Sequence, residues 1–213
     1  MVAMDLINLD TWNSYGRAFE EAGEAVLAGE IVIYPTDTIY KIGAKATDKD
    51  AVSKLRRVME KDSPLPIVVS DLNMMRKYCR TDAVPFVLLQ QLFPGPVTGI
   101  FPKIYDFPEG ITEDENVRIR IPEHNFIVSL VRKFDFPVTS ARANLTVGRS
   151  PKTVEEIPTE LKKIAKVVVD GGRCRYGVDS TVIDFTTKPA EIVREGAASK
   201  SIADIIKNCP EQL

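Results

Sequence analysis

Hydroxyl and carboxylate side chains directly follow a short apolar segment near the start of the chain. Residues 31–34 are Ile, Val, Ile and Tyr, which predicts a buried strand, and Pro35 ends it because proline has no amide proton for the sheet. Thr36, Asp37 and Thr38 come next. In α/β proteins ligands gather at strand ends, so these side chains are candidates for a binding site. The same residue types also make local turns, and a capped strand end is the alternative interpretation.

Arginine residues recur beside hydroxyl groups and at predicted strand ends. Arg118 and Arg120 alternate with apolar residues, so they point to one face of a strand predicted over 117–121. Guanidinium groups bind carboxylates and phosphates through two parallel donors, so the cluster predicts an anion-binding site, with solvated surface charge as the alternative. We favour anion binding for Arg120 and Arg194. Both interpretations stay open for Arg142, Arg149, Arg173 and Arg175.

Several familiar sites are absent from the sequence. It contains neither a P-loop motif nor a Gly-x-Gly-x-x-Gly dinucleotide motif. His124 is the only histidine, and the 3 cysteines lack the spacing of a zinc site or a disulfide framework. The net charge of −2 indicates no general affinity for nucleic acid, although a local basic cleft stays open. Because no apolar run reaches bilayer length and no signal-peptide pattern is present, we expect a cytoplasmic protein without a membrane segment.

Helical and extended patterns alternate along the chain and must position these side chains. The spacing of apolar residues predicts helices over 10–29, 51–60, 73–79, 83–93, 126–134 and 201–208. Short apolar runs predict strands over 31–34, 65–69, 99–101, 117–121, 137–140, 167–169, 181–183 and 191–193. Pro158 predicts two short helices or a kink within 153–165. The later strands lie too close together in sequence for helical crossovers, which favours a compact α/β fold with an open, twisted, mixed sheet flanked by helices.

Four segments, in order, resemble the signatures of the YrdC-like family, the threonylcarbamoyl-AMP synthases. They are residues 34–40, 93–98, 117–124 and 179–184. The resemblance extends from about Thr11 to Gly196. It implies an α/β sheet around a large basic cavity. We therefore expect a single YrdC-like domain over 11–200, with 1–10 and 201–213 as terminal extensions packed on or next to it.

This resemblance also implies a reaction. Members of the family form threonylcarbamoyl-AMP and pyrophosphate from L-threonine, bicarbonate and ATP, for transfer to the adenosine beside the anticodon in tRNAs that read codons starting with A. The implied cofactor is Mg²⁺ accompanying ATP, without a dedicated protein metal site. The implied partners are tRNA or double-stranded RNA and a tRNA-modification transferase. No protein nucleophile is needed, because a carbamate formed from threonine and bicarbonate attacks the α-phosphate, and catalysis consists of positioning and charge neutralisation.

Site residues are carried over from the same motifs. The residues expected to bind threonine are Thr36, Arg120, Ser140 and Ser180. The residues expected to bind ATP are Arg57, Asn116, Arg142, Asn144, Ser150 and Arg194. Any contact with RNA is expected in the loops 142–152 and 173–175.

The chain departs from the family's pattern in its nucleotide-binding motifs. Met59 stands where the family has arginine, Arg142 where it has serine, and Lys41 within a segment that is usually Tyr-Gly-Leu-Gly. We expect Arg142 to supply the missing cation, with Arg56 and Lys61 as other candidates. A YrdC-like protein that binds RNA or nucleotide without synthase activity is the alternative. A relative that handles carbamoyl phosphate is a third interpretation.

Overall fold

Two mixed β-sheets and flanking helices make up the part of the chain that the computed structural model describes, residues 5–59, 63–145 and 150–209. The helices are α1 (Trp12–Leu27), α2 (Lys49–Met59), α3 (Leu72–Met75), α4 (Phe86–Leu92), α5 (Asn125–Phe134), α6 (Thr159–Ile164) and α7 (Ser199–Lys207), with a 3₁₀ turn at Val154–Glu156. The strands are β1 (Asp5–Asn8), β2 (Val32–Tyr34), β3 (Lys41–Gly43), β4 (Ile67–Val68), β5 (Val97–Pro102), β6 (Thr112–Glu113), β7 (Asn116–Arg120), β8 (Val138–Thr139), β9 (Ala141–Arg142), β10 (Val167–Asp170), β11 (Thr181–Asp184) and β12 (Glu191–Arg194). The predicted mixed α/β architecture is confirmed, but the strands are divided between two sheets rather than forming the single open sheet that was expected.

The first sheet carries the motif that follows residues 31–34. Its strand order is β1-β10-β2-β3-β9. Strand β10 is parallel to β1 and β2, whereas β3 is antiparallel to both β2 and β9. Residues 35–40 form the connection from β2 to β3, so the first motif sits where the chain reverses direction.

The second sheet carries the arginine-bearing strand in its interior. Its order is β12-β11-β5-β7-β4-β8, and β6 pairs with β7. Strand β5 is parallel to β11 and antiparallel to β7. Ser140 alone separates β8, at the edge of this sheet, from β9, at the edge of the first sheet. The chain therefore crosses between the sheets at a residue expected to bind threonine.

Apolar packing holds these strands in place. Ile31, Ile33, Val168 and Ile119 have at most a trace of exposed surface, and they belong to one continuous core. Burying such a side chain contributes about 1.5–3 kcal/mol. The polar site is thus built on strands that the core positions. None of the described helices is long and apolar enough to span a bilayer.

Most predicted elements are present, and the differences have physical causes. Pro158 separates a 3₁₀ turn from α6, as predicted. The helix predicted over 83–93 begins only at Phe86, because Pro85 has an extended backbone and precedes its first turn. The helix predicted over 73–79 is reduced to the short α3. Strands β1, β3, β6 and β9 were not predicted, because they are only two to four residues long and carry little local pattern. The partners of β1 and β9 are also distant in sequence.

Candidate active site

Thr36 shapes the turn between β2 and β3. Its Oγ accepts hydrogen bonds from the backbone N–H groups of Thr38 at 3.2 Å and Ile39 at 3.3 Å, and it donates to the carbonyl oxygen of Ile39 at 2.8 Å. The side chain is buried. These contacts make the local turn that the alternative sequence interpretation described. The turn directs Asp37 toward the second sheet.

A buried ion pair joins the two sheets beside this turn. Arg120 Nη2 donates to Asp37 Oδ1 at 3.0 Å, and each side chain is only 1% exposed. The Nε and Nη1 atoms of Arg120 are buried without a hydrogen-bond partner, as is Asp37 Oδ2. Unpaired N–H groups of a buried guanidinium cost free energy unless a ligand accepts from them. Arg120 is therefore well suited to hold a carboxylate.

A cavity of about 500 Å³ lies where the two sheets meet. Among the described residues, five cationic side chains and one carboxylate line it: Lys41, Arg118, Arg120, Arg142, Asp179 and Arg194. Ser140 and Ser180 also line it. The predicted orientation of Arg118 and Arg120 toward one face of their strand is confirmed. This excess of positive charge suits an anionic ligand.

Three neighbouring strands hold the hydroxyl side of this cavity. The Oγ atoms of Thr98, in β5, and Ser180, just before β11, lie 2.7 Å apart. Arg194, at the end of β12, donates from Nη2 to the Ser180 carbonyl oxygen at 2.8 Å and to Ser180 Oγ at 3.3 Å. Burial lowers the pKa of Arg194, although Asp179 opposes this change. Arg194 thus braces Ser180 and contributes charge to the cavity.

Asp179 contacts three further polar side chains, those of Arg142, Ser150 and Lys41. Its Oδ2 lies 2.6 Å from Arg142 Nη2 and accepts from Ser150 Oγ at 2.8 Å, and its Oδ1 lies 3.6 Å from Lys41 Nζ. Lys41 and Arg142 are directly opposite each other in the β3–β9 pair, where like charges repel. Asp179 bridges them. Burial acts to raise the pKa of Asp179, but Lys41, Arg142 and Ser150 outweigh it, so the pKa is lowered.

Lys41 is a cavity residue to which the sequence assigned no role, as are Thr98 and Asp179. Its side chain is 6% exposed. Burial, followed by the charge of Arg120, lowers its pKa from 10.5 to about 7, while Asp179 opposes the change. The sequence does contain a signal that Lys41 has a special environment. It stands between Tyr40 and Ile42, and both of these neighbours are fully buried in the structure. A charged residue in such a position indicates a polar cavity behind the strand.

Other predicted site residues lie outside the cavity lining. Asn144 is buried next to it, and its backbone N–H donates to the Arg142 carbonyl oxygen at 2.7 Å. Asn116 is half-buried at the opposite end of β7 from the ion pair. Arg57 is exposed on α2, whereas Met59 of the same helix lines the cavity. Lys61 and Arg149 lie outside the described residues.

A second cavity is larger, about 950 Å³, and lies on another face. Tyr15, Phe86, His124 and Arg132 are among its lining residues, and none of the residues expected to bind threonine or ATP lines it. Burial lowers the pKa of His124, with Asp37 opposing. The smaller cavity is the candidate active site because five of the ten predicted site residues line it, namely Arg120, Ser140, Arg142, Ser180 and Arg194. Thr36 and Ser150, like the predicted residues named above, lie outside its lining. In the described ranges, no group of three His, Cys, Asp or Glu side chains is arranged to hold a metal ion.

Comparisons with known proteins show the family of the chain. The model of a family named Sua5_yciO_yrdC, described as "Telomere recombination", matches residues 24–196. A Methanocaldococcus jannaschii protein, provisionally named threonylcarbamoyl-AMP synthase, is 34% identical over 84% of this chain and 86% of its own length. The Mus musculus threonylcarbamoyl-AMP synthase is 32% identical over 92% of this chain and 72% of its own length.

A solved structure is also similar. Pyrococcus abyssi Sua5 complexed with L-threonine superposes with a TM-score of 0.85 at 26% identity. The match covers 96% of this chain and 61% of that chain. This protein therefore spans about three fifths of that relative.

Proposed function

Because this chain belongs to the Sua5–YciO–YrdC family, we propose that it is a threonylcarbamoyl-AMP synthase. It would form threonylcarbamoyl-AMP and pyrophosphate from L-threonine, bicarbonate and ATP. The observation that carries the proposal is the convergence of Arg120, Ser140, Ser180 and Arg194 on one basic cavity at the junction of the sheets.

The amino-acid substrate has a matching set of groups. The unpaired N–H donors of Arg120 suit its carboxylate, and the buried Ser140 Oγ is likewise without a partner. The hydroxyl pair of Thr98 and Ser180 offers both donor and acceptor capacity. Thr36 contributes by shaping the turn that carries Asp37 against Arg120, which orients the guanidinium.

Charge neutralisation is the main catalytic requirement. The carbamate oxygen forms a bond to the α-phosphorus while the bond from that phosphorus to the bridging oxygen breaks, and pyrophosphate leaves with the electron pair. Two unit charges 4 Å apart repel by about 4 kcal/mol at an effective dielectric constant of 20. Arg142, Arg194 and Lys41 offset this repulsion and need not form a covalent intermediate. Mg²⁺ would enter with ATP and reduce the charge of the triphosphate.

The remaining nucleotide assignments rest on the family resemblance. Asn144 and Ser150 lie close to the Arg142–Asp179 pair, so they fit a nucleotide that extends from the cavity. Asn116 and Arg57 lie further away and would act only if the nucleotide or the chain reaches them.

The product requires a second macromolecular step. Threonylcarbamoyl-AMP is a mixed anhydride, so its threonylcarbamoyl group would pass to tRNA with the help of a tRNA-modification transferase. The exposed Arg173 and Arg175 are candidates for RNA contact, although Arg175 also pairs with Glu123 at 2.7 Å. We also propose a cytoplasmic location, where both ATP and tRNA are present.

Pyrophosphate release tests the proposal. The protein is incubated with ATP, Mg²⁺, bicarbonate and each amino acid in turn, and release should require both bicarbonate and threonine. Arg120→Met should abolish pyrophosphate release. The matched control is Arg132→Met, which should leave the release unchanged because Arg132 lies outside the candidate active site. Absence of threonine-dependent release from the wild-type protein would refute synthase activity.

The alternative is a nucleotide- or RNA-binding protein without synthase activity, because Met59 is apolar where the resembled motif has arginine. The relatives named as synthases do not favour this alternative. If instead Arg142 supplies that charge, Arg142→Ser should lower turnover at least about tenfold, or roughly 1.4 kcal/mol. Adding Met59→Arg should restore much of the loss, since both residues line the same cavity. A fully active Arg142→Ser protein would contradict this compensation.

A further inference from the structure

Lys41 lies among cations from several separate elements. Strand β3 places it opposite Arg142, and its neighbour on the other side is Tyr34 of β2. The ammonium group lies 3.6 Å from Asp179 Oδ1 at the cavity wall. The charged and titratable groups that face this region are Arg118, Arg120, Arg142, Cys174, Asp179 and Arg194. Four of these groups are arginines and one is a carboxylate, so the described lining residues do not balance the positive charge of a Lys41 ammonium group.

Among the described residues, an apolar side chain stands at one place on the cavity wall. Met59 contributes a thioether there, at the position where the resembled motif has arginine. Arg142 is already in a 2.6 Å ion pair with Asp179. Lys41 is held less closely, and its side chain is more than nine-tenths buried. It is therefore a second source of charge for a ligand at this wall.

We propose that Lys41 binds a proton when an anionic phosphate group enters the cavity, and that the resulting ammonium supplies the charge that Met59 does not. The inference extends the proposed function, since it takes the cavity to be the site of the ATP phosphates and of the pyrophosphate product.

The physical reason is electrostatic. Without a bound anion, burial and the surrounding guanidinium groups disfavour the ammonium form, which is consistent with its lowered pKa of about 7. An incoming phosphate reverses the sign of the local potential and favours that form. Proton and anion then bind cooperatively, so each must strengthen the binding of the other by the same factor. Above pH 7, the affinity for the anion should fall as the pH rises, until the lysine of the complex also loses its proton.

A direct test follows the Lys41 side chain by NMR. The full-length protein, labelled with ¹³C at lysine Cε, is titrated with pH in the absence and in the presence of saturating inorganic pyrophosphate, without ATP or amino acid. Lys41→Arg identifies the resonance, and Lys41→Met serves if that variant folds poorly. We expect a midpoint near pH 7 in the free protein and a rise of at least one pH unit with pyrophosphate, which corresponds to at least tenfold tighter binding to the protonated form.

Two results would overturn the inference. One is a Lys41 midpoint near 10 in the free protein, and the other is a midpoint that pyrophosphate does not move. Neither depends on turnover. If the protein releases no pyrophosphate but pyrophosphate binding raises the Lys41 midpoint, the synthase proposal is refuted and the role of Lys41 is supported. If the protein is an active synthase but the Lys41 midpoint does not move, the role of Lys41 is refuted and the synthase proposal stands.

Discussion

Replacing Lys41 with methionine should stabilise the folded protein at neutral pH. The side chain is 6% exposed, and methionine fills similar space without a charge that must be desolvated. Asp179 keeps its contacts with Arg142 and Ser150 in the variant. The stabilisation should therefore appear even though the variant loses affinity for pyrophosphate, as is common where a functional residue is held in an unfavourable environment.

The size and the pH dependence of this effect follow from the pKa. Lys41 releases its proton at about pH 7 in the folded protein and at about 10.5 in the unfolded chain. Between these values unfolding takes up a proton, so the stability of the wild-type protein rises with pH in this window. At 1.36 kcal/mol per unit, the cost of burying the ammonium is at most roughly 4 kcal/mol at pH 7 and roughly 2 kcal/mol at pH 9.

Urea unfolding at pH 7 and pH 9, followed by circular dichroism, measures the effect. We expect Lys41→Met to gain about 1–4 kcal/mol at pH 7 and to keep about half of that gain at pH 9. The control is Lys45→Met, because Lys45 is only partly buried and lies outside the cavity lining. This control shows how much of any change comes from removing a lysine charge outside the cavity. A loss of stability in Lys41→Met at pH 7, or a gain equal at both pH values, would refute the reasoning.

Three further substitutions probe the site. Arg120→Met should lower the free energy of unfolding in urea by about 3–5 kcal/mol, because it leaves the buried Asp37 carboxylate without its partner. Adding Asp37→Asn should recover part of this loss. A single variant as stable as the wild type would contradict this reasoning. Gly196→Ala should lower the free energy of unfolding by about 1–3 kcal/mol and reduce pyrophosphate release, because the added Cβ would clash with the backbone carbonyl oxygen of Asp179 beside the cavity. The control is Gly16→Ala, which has open space around it and should be neutral or stabilising. Arg194→Ala should weaken ATP binding by about 1.5–3 kcal/mol in calorimetry, and an unchanged affinity would remove it from the nucleotide site.

Local signals in the sequence determined much of the fold and part of the site. The apolar run before Pro35 predicted β2, Pro158 predicted a helix break, and the alternation of Arg118 and Arg120 predicted that both point to one face. Each of these features depends on residues close together in the chain. Backbone conformation and side-chain direction over a few residues are therefore readable without the tertiary structure.

The tertiary structure alone decided which charges meet. Asp179 contacts Arg142 and Lys41, and Arg120 pairs with Asp37 across the junction of the two sheets. These partners are separated by tens to more than a hundred residues, and the short strands that align them have no distinctive pattern of their own. The exposure of Arg57 and the burial of Lys41 likewise depend on packing. Because the free energy of a charge depends on its surroundings far more than on its neighbours in sequence, the electrostatics of this site could be obtained only from the fold.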